Sequence, residues 1–327
     1  MNCNRFLALM LASMAALSAP LQAYAQGDFP DKPITMIVPF PAGGAADSAA
    51  RAAMNGLSIA LGQPVIIDNK PGAGGNIGVA FAARAKADGY TLLLGHISPI
   101  TINPHTYGKL AVDPMKELAP IGLISSGPMI LVVHPSVPAR TLPEFIAYAK
   151  ANPGAVNYAS AGAGGITHVA MELLSSKAGI QMTHVPYKGG APALQDLLAG
   201  RVQAMSDALP QLLPYVKEGK LRAIAVTSAQ RSPYAPDVPT AAEGGLHDYI
   251  LSGWLSVFVP AKTPETIRRR IKEGLDVAVT STAYADFLTA AFSPKIKPMS
   301  TEDFTKFVQA EYVRWGKVVH DANILLD

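Results

Sequence analysis

The sequence predicts an α/β protein of two lobes, and three observations predict it. Apolar runs rich in β-branched residues alternate with helix-period segments along the chain. About 300 residues remain once a leader segment is set aside, which is more than one ordinary core accommodates. One unit, a strand running through a glycine-rich turn into a helix start, occurs twice, once in each half.

The leader is residues 1–25. Arg5 supplies a positive charge, residues 6–19 are apolar apart from Ser13 and Ser18, and Ala23-Tyr24-Ala25 offers small residues for a cut before Gln26. That order is a secretory signal peptide, too short and wrongly flanked for an anchor. Cys3, the chain's one cysteine, leaves with it and stands too early to be a lipidated cysteine. The remaining chain has no thiol, which suits the oxidising periplasm. Removing Arg5 leaves 26 of the 27 Lys and Arg residues against 24 Asp and Glu. With no long basic run, nucleic acid is not an expected partner.

Each element has a local reason. Residues 34–40 form an apolar strand that enters the turn Pro41-Ala42-Gly43-Gly44, and a helix follows over Ala45–Leu61. A strand over 65–68, a loop over 69–75, a helix to about 87 and a strand over 91–94 complete a pattern that predicts a largely parallel sheet. After residue 125 the pattern restarts with a strand over 129–133. Thr141 and Glu144 form a capping box for the next helix. Asn157–Ser160 is a strand leading through Ala161 to Gly165 into a helix that ends near Lys177. Strands at Thr183–Pro186, 202–206 and 221–226 alternate with helices near 191–199 and 210–218. Thr240 and Glu243 read as a second capping box, before a strand over 254–259. The rest is helical. Thr263-Pro264-Glu265 reads as a cap, a first-turn proline and a dipole-matched acid. Ile267, Ile271, Leu275 and Ala278 line one face, while Phe304, Phe307, Tyr312, Trp315 and Val319 recur at helical spacing as core.

The chemistry concentrates in the two repeated units. The first contributes Phe40, Ala42, Gly43, Gly44, Ala45 and Asp47; the second contributes Ser160, Gly162, Ala163, Gly164, Gly165, Thr167 and His168. Glycine lets a ligand approach main-chain N–H groups closely, and the first helical turn adds unpaired donors and partial positive charge. Together these favour an anion beyond the carboxyl ends of the strands. Neither unit holds Arg or Lys, so recognition would rest on N–H groups, helix ends, Ser160 and Thr167. Four or five charge-assisted bonds at about 1.5–3 kcal/mol each, less the costs of closure, reach about −8 kcal/mol, or ~1 μM. Asp47, in the first turn of its helix, reads first as a cap of free amides. Ser98 ends a strand of the first half, Tyr187 is a candidate pocket wall, and Asp207 could accept a hydrogen bond from a ligand amine or hydroxyl.

Enzymatic patterns are missing. Asp68 ends the second strand as a ribose-binding acid would, but neither turn is G-x-G-x-x-G, and no G-x-x-x-x-G-K-[ST] loop occurs. Ser160 lacks the leading glycine of a nucleophile elbow. The seven histidines show no metal spacing, and His168 and His184 read first as satisfied structural residues. The reading therefore carries no cofactor, no metal and no catalysis, with a dinucleotide-dependent enzyme as the remote alternative.

The chain also resembles the extracytoplasmic solute receptors of tripartite tricarboxylate transporters, the Bordetella uptake gene family. The resemblance covers the whole mature chain. It rests on Lys32-Pro33-Ile34, Val38-Pro39-Phe40-Pro41-Ala42-Gly43-Gly44 with Asp47 and Arg51, Asn69-Lys70-Pro71-Gly72-Ala73-Gly74-Gly75, and Asp88-Gly89-Tyr90-Thr91-Leu92-Leu93. It continues through Asn103-Pro104, Tyr148-Ala149-Lys150, Tyr158-Ala159-Ser160, His184-Val185-Pro186-Tyr187-Lys188-Gly189, Asp237-Val238-Pro239-Thr240 and Arg314-Trp315. The resemblance implies a type II periplasmic binding fold in which the chain crosses twice, near Ser126 and Ser252. Lobe one would be 26–125 and 253–327, and lobe two 126–252. It implies a monomer that holds a mono- or dicarboxylate between the two glycine-rich turns, commonly through water, and delivers it to membrane permease subunits. Signalling to a membrane kinase is the alternative outlet. Trp254, near the second crossing, is expected to report closure. One departure stands out: the family often has Ser or Thr where this chain has Gly165. The lost hydroxyl is expected to widen the floor and admit a bulkier, even aromatic, carboxylate.

Overall fold

The computed structural model describes residues 29–326, so the leader reading of residues 1–25 lies outside the described residues. Nine strands among the described residues make one sheet: β1 (Ile34–Val38), β2 (Val65–Asn69), β3 (Thr91–His96), β4 (Leu118–Val133), β5 (Asn157–Ser160), β6 (Thr183–Pro186), β7 (Ala204–Ala208), β8 (Arg222–Val226) and β9 (Ser252–Pro260). The order is β2-β1-β3-β9-β4-β7-β5-β6, with β8 also on β4. The principal helices are α1 (Ala45–Leu61), α2 (Asn76–Ala83), α3 (Leu142–Ala151), α4 (Ile166–Ala178), α5 (Gly190–Leu198), α6 (Leu209–Lys217), α7 (Glu265–Thr280), α8 (Thr282–Ala290) and α9 (Thr301–Asp321).

The largely parallel sheet expected from the alternation is a correction. Parallel pairing is confined to the two outer trios, β2-β1-β3 and β7-β5-β6. Between them β3–β9, β9–β4 and β4–β7 are antiparallel, because β4 and β9 are long strands that carry the chain between lobes. β4 pairs with β9 from Leu118↔Pro260 to Pro128↔Ser252, then exchanges that partner for β7 and β8 at Met129. The segment before Met129 was not expected as strand. Pro120, Gly122, Gly127 and Pro128 break its local pattern, and two register shifts against β9 accommodate it.

Alternation along the strands divides the cores. Ile34, Met36 and Val38 pack with Ala53, Met54 and Leu57 of α1 and with Ile271, Leu275 and Ala278 of α7. At the far end of β4, Ile130 and Val132 face α5 and α6, whereas Met129, Leu131 and Val133 face α3 and α4. Phe304, Trp315 and Val319 of α9 are core, as their spacing predicts, and Tyr312 is only half-buried.

Cap readings fare unevenly. Thr141 Oγ1 accepts from Glu144 N at 3.3 Å and starts α3. The Thr240–Glu243 box forms both of its hydrogen bonds, at 3.1 and 2.6 Å, yet Gly244 and Gly245 follow at once and only a turn results. Thr263 spends its hydroxyl on the Pro260 carbonyl at 2.7 Å, leaving Pro264 as the N-cap of α7.

Candidate functional site

The first turn is built to hold its shape. Gly43 adopts φ +81, a conformation that side chains resist, and Gly44 caps α1 with no side chain of its own. The first amides of α1 are thus left facing outward. Asp47 is buried and turns its carboxylate inward: Oδ2 accepts from Gly43 N at 3.0 Å and Arg51 Nε at 2.9 Å, while Oδ1 accepts from Asn69 Nδ2 at 2.9 Å and Arg51 at 3.1 Å. Burial pushes its pKa up, but the bonds from Arg51, Gly43 and Asn69 outweigh that and hold it below the ordinary carboxylate range. Asn69 also donates to the Phe40 carbonyl at 3.0 Å. Asp47 braces the turn, as the capping reading holds, with both oxygens committed inside the fold.

The second turn is organised differently. Ala161 N donates to Thr167 Oγ1 (2.9 Å), Gly162 N to Ser160 Oγ (3.3 Å) and Gly164 N to His168 Nδ1 (3.1 Å). Residues that follow β3 close the set. Ser98 Oγ accepts from Ile166 N at 2.9 Å, Tyr107 donates to the Ala163 carbonyl at 3.1 Å, and Thr106 to that of Gly164 at 3.4 Å. The hydroxyls of Ser160 and Thr167, expected to reach a ligand, therefore serve the turn itself. Ser160 also meets His184 Nε2 at 2.6 Å, beneath a stack of Tyr158, His184 and His168 whose imidazoles are 3.9 Å apart. Burial lowers both histidines to about 4, so they are neutral at pH 7. Gly165 does not widen a floor, which corrects that expectation. A Cβ there would lie 3.2 Å from Ser98 Oγ, so Ser98, just after β3, fills the place.

The open space lies beside these turns. A chamber of about 100 Å³ is lined by Phe40–Ala42 and Gly44–Ala46 on one side, and by Ala161, Gly189–Pro192, Asp207 and Gln211 on the other. The α1 N-terminus thus opposes that of α5, whose N-cap Gly189 has φ +119 and packs against Pro41. Gln211 stands in the first turn of α6, and its Nε2 is buried with no partner among the described residues. Sharing Gly44–Ala46, Ala191 and Gln211, a second chamber of about 400 Å³ extends past Leu194, Tyr215, Leu255, Phe287 and Leu288. A third, of about 460 Å³, runs past Gly72–Gly75, Gly162, Tyr187 and Lys188. Tyr187 lines this third chamber. Its hydroxyl points away to Asp196 at 2.8 Å, and burial with that bond pushes its pKa up to about 12.

Phe40, Ala42, Gly43, Gly44, Ala45, Gly162, Tyr187 and Asp207 therefore line open space. Ala163, Gly164, Gly165, Thr167, His168, Ser160 and Ser98 do not line these chambers and form the support behind. Sequence reasoning missed Ala161, Gly189–Pro192, Gln211 and the cation Lys188. The signal was available: residues 186–192 are a third strand-to-helix handover through paired glycines.

Comparison with known proteins bears on this arrangement. The model of the tripartite tricarboxylate transporter family receptor matches residues 49–324. Protein BugT of Bordetella pertussis is 35% identical over the full length of both chains. Among solved structures, Rpa4515 of R. palustris with adipate is 34% identical, covers 91% of this chain and 99% of its own, and superposes with a TM-score of 0.86. MatC from Rhodopseudomonas palustris with bound malate is 33% identical, covers 89% of this chain and all of its own, and gives a TM-score of 0.85.

Proposed function

The chain belongs to the tripartite tricarboxylate transporter family of receptors, and from that premise we propose that it captures a small mono- or dicarboxylate in the chamber between α1 and α5 and presents it to membrane permease subunits. It is a solute-binding protein rather than an enzyme. The observation that carries the ligand class is the pair of opposed helix N-termini, Gly44–Ala46 and Gly189–Ala191, around one chamber. Each offers unpaired amides and partial positive charge to a carboxylate. Structures of similar chains hold adipate and malate, which supports the same class here.

In this reading the ligand's carbon skeleton enters the chamber of Leu255, Phe287, Leu288 and Tyr215, whose volume of about 400 Å³ suits a short aliphatic chain. The change of partner at Pro128/Met129 and the pairing of Pro128 with Ser252 support lobes of 26–125 with 253–327, and 126–252. Export through residues 1–25 and action as a monomer belong to the same reading.

Mass spectrometry of ligand released from the purified protein, followed by a thermal-shift panel of mono- and dicarboxylates, tests it. A carboxylate that raises the melting temperature in a concentration-dependent way is expected. A panel without any shift, together with a non-carboxylate in the released fraction, would defeat the reading.

A further inference from the structure

Asp207 has an unusual position for a carboxyl group. It lies at the end of β7 and lines the small chamber in which the ligand carboxylate is placed. Its Oδ1 accepts from Ala208 N at 2.7 Å, and its Oδ2 borders Gly190, where a Cβ would come within 3.1 Å. Among the described residues no cation pairs with it. The elements packed round it face it with Ile130 of β4, Gly190 of α5 and Gln211 of α6, and across the chamber stand Gly44–Ala46 of α1; none of these is charged.

An anion drawn to the two helix N-termini must share about 100 Å³ with this carboxyl group. Two carboxylates in contact in a small, poorly solvated space do not both remain ionised; one proton settles between them. Helix ends carry only about half a positive charge each, enough for one negative ligand group but not for two.

We propose that Asp207 is a specificity-determining residue that enters the complex as a carboxylic acid, donating its proton to the ligand carboxylate, so that each capture takes up one proton from solution. Burial already pushes the Asp207 pKa up to about 6. At pH 7 roughly a tenth of the molecules are therefore already protonated, and completing the proton uptake weakens binding only about tenfold. The buried and unpartnered Nε2 of Gln211 supplies a second donor beside it. No covalent bond changes: the proton comes from solvent and stays shared between the two oxygen atoms. The site then favours ligands whose carboxylate can accept such a proton over anions of strong acids, which cannot. This inference rests on the carboxylate reading above.

The test is calorimetry with the panel carboxylate that gives the largest thermal shift, in two buffers of different ionisation enthalpy near pH 7. The expected result is uptake of close to one proton by the wild-type protein. Its Kd should weaken up to about tenfold per pH unit between about pH 6 and pH 8. Asp207→Asn, whose amide is a permanent donor, should show no uptake and a flat pH dependence. Wild-type binding without proton uptake, or uptake that persists in the variant, overturns this inference while leaving the receptor reading intact. A panel in which nothing binds defeats both.

Discussion

At the scale of the residue, what a side chain faces decides between bracing and binding, and the two glycine-rich turns divide on that basis. Gly44 has an ordinary extended conformation, φ −81 and ψ 170, and a Cβ there would meet only the Pro41 carbonyl at 3.7 Å. A larger residue at 44 therefore fits the fold but intrudes on the chamber. Gly44→Val is expected to cost about 1 kcal/mol as a poorer N-cap while weakening carboxylate binding by about 100-fold or more. Urea melts alongside calorimetry check this; a variant that binds as the wild type does would remove the first turn from the site. Gly165 looks equivalent in sequence, yet Ser98, which accepts from Ile166 N 68 positions away, occupies the space in front of it. No local pattern reveals that pairing, which is why the lost hydroxyl suggested a widened floor.

At the scale of the element, α4 and the strands beneath it form a polar stack that ties the second turn to its helix. His168 Nδ1 accepts from Gly164 N, and Tyr158 donates to Glu172 on the same helix. Both histidines are held near 4 by burial, against about 6.5 in an unfolded chain. Between those values the unfolded chain binds more protons than the folded one, so stability is fully present above about pH 6.5 and declines as pH falls toward 4. The loss is expected to reach a few kcal/mol. His168→Asn, which can still accept from Gly164, should flatten the decline; urea melts at about pH 7 and about pH 5 that give parallel changes in both proteins would contradict it. The bounds of α1, β5 and β6 were legible because glycines, capping residues and apolar periodicity mark them within a few positions. The first half of β4 was not legible, since only its ladder with β9 makes Pro120 to Pro128 a strand. Asp207 was legible as a candidate, but the missing cation around it is a property of packing. The third handover at 186–192 carried the same glycine signal as the other two and went unused.

At the scale of the whole molecule, the proposed lobes share β4 and β9 and meet again at the second glycine-rich turn. The shared strands are paired from Leu118↔Pro260 to Pro128↔Ser252 with two register shifts, and the change of partner that follows at Met129 is the expected hinge. Ser98, Thr106 and Tyr107 hydrogen-bond the second turn, and Leu326 N donates to the Thr106 carbonyl behind them. These contacts are expected to favour closure alongside whatever bridges α1 and α5, so that a ligand supplies only the remaining difference. Removing part of this latch shifts the balance toward the open form. At about 0.5–1.5 kcal/mol for each hydrogen bond, Ser98→Ala with Tyr107→Phe is expected to weaken binding by roughly five- to a hundred-fold, although neither residue lines the small chamber. Small-angle scattering should show a larger radius of gyration for the ligand-free double variant, converging with the wild type at saturation. Trp254 is buried against Phe307 at 6.0 Å on the strand that crosses between lobes, so its fluorescence should follow the same transition. Unchanged affinity and scattering in the double variant would mean that these contacts follow closure without contributing to it, and the hinge alone would then set the equilibrium.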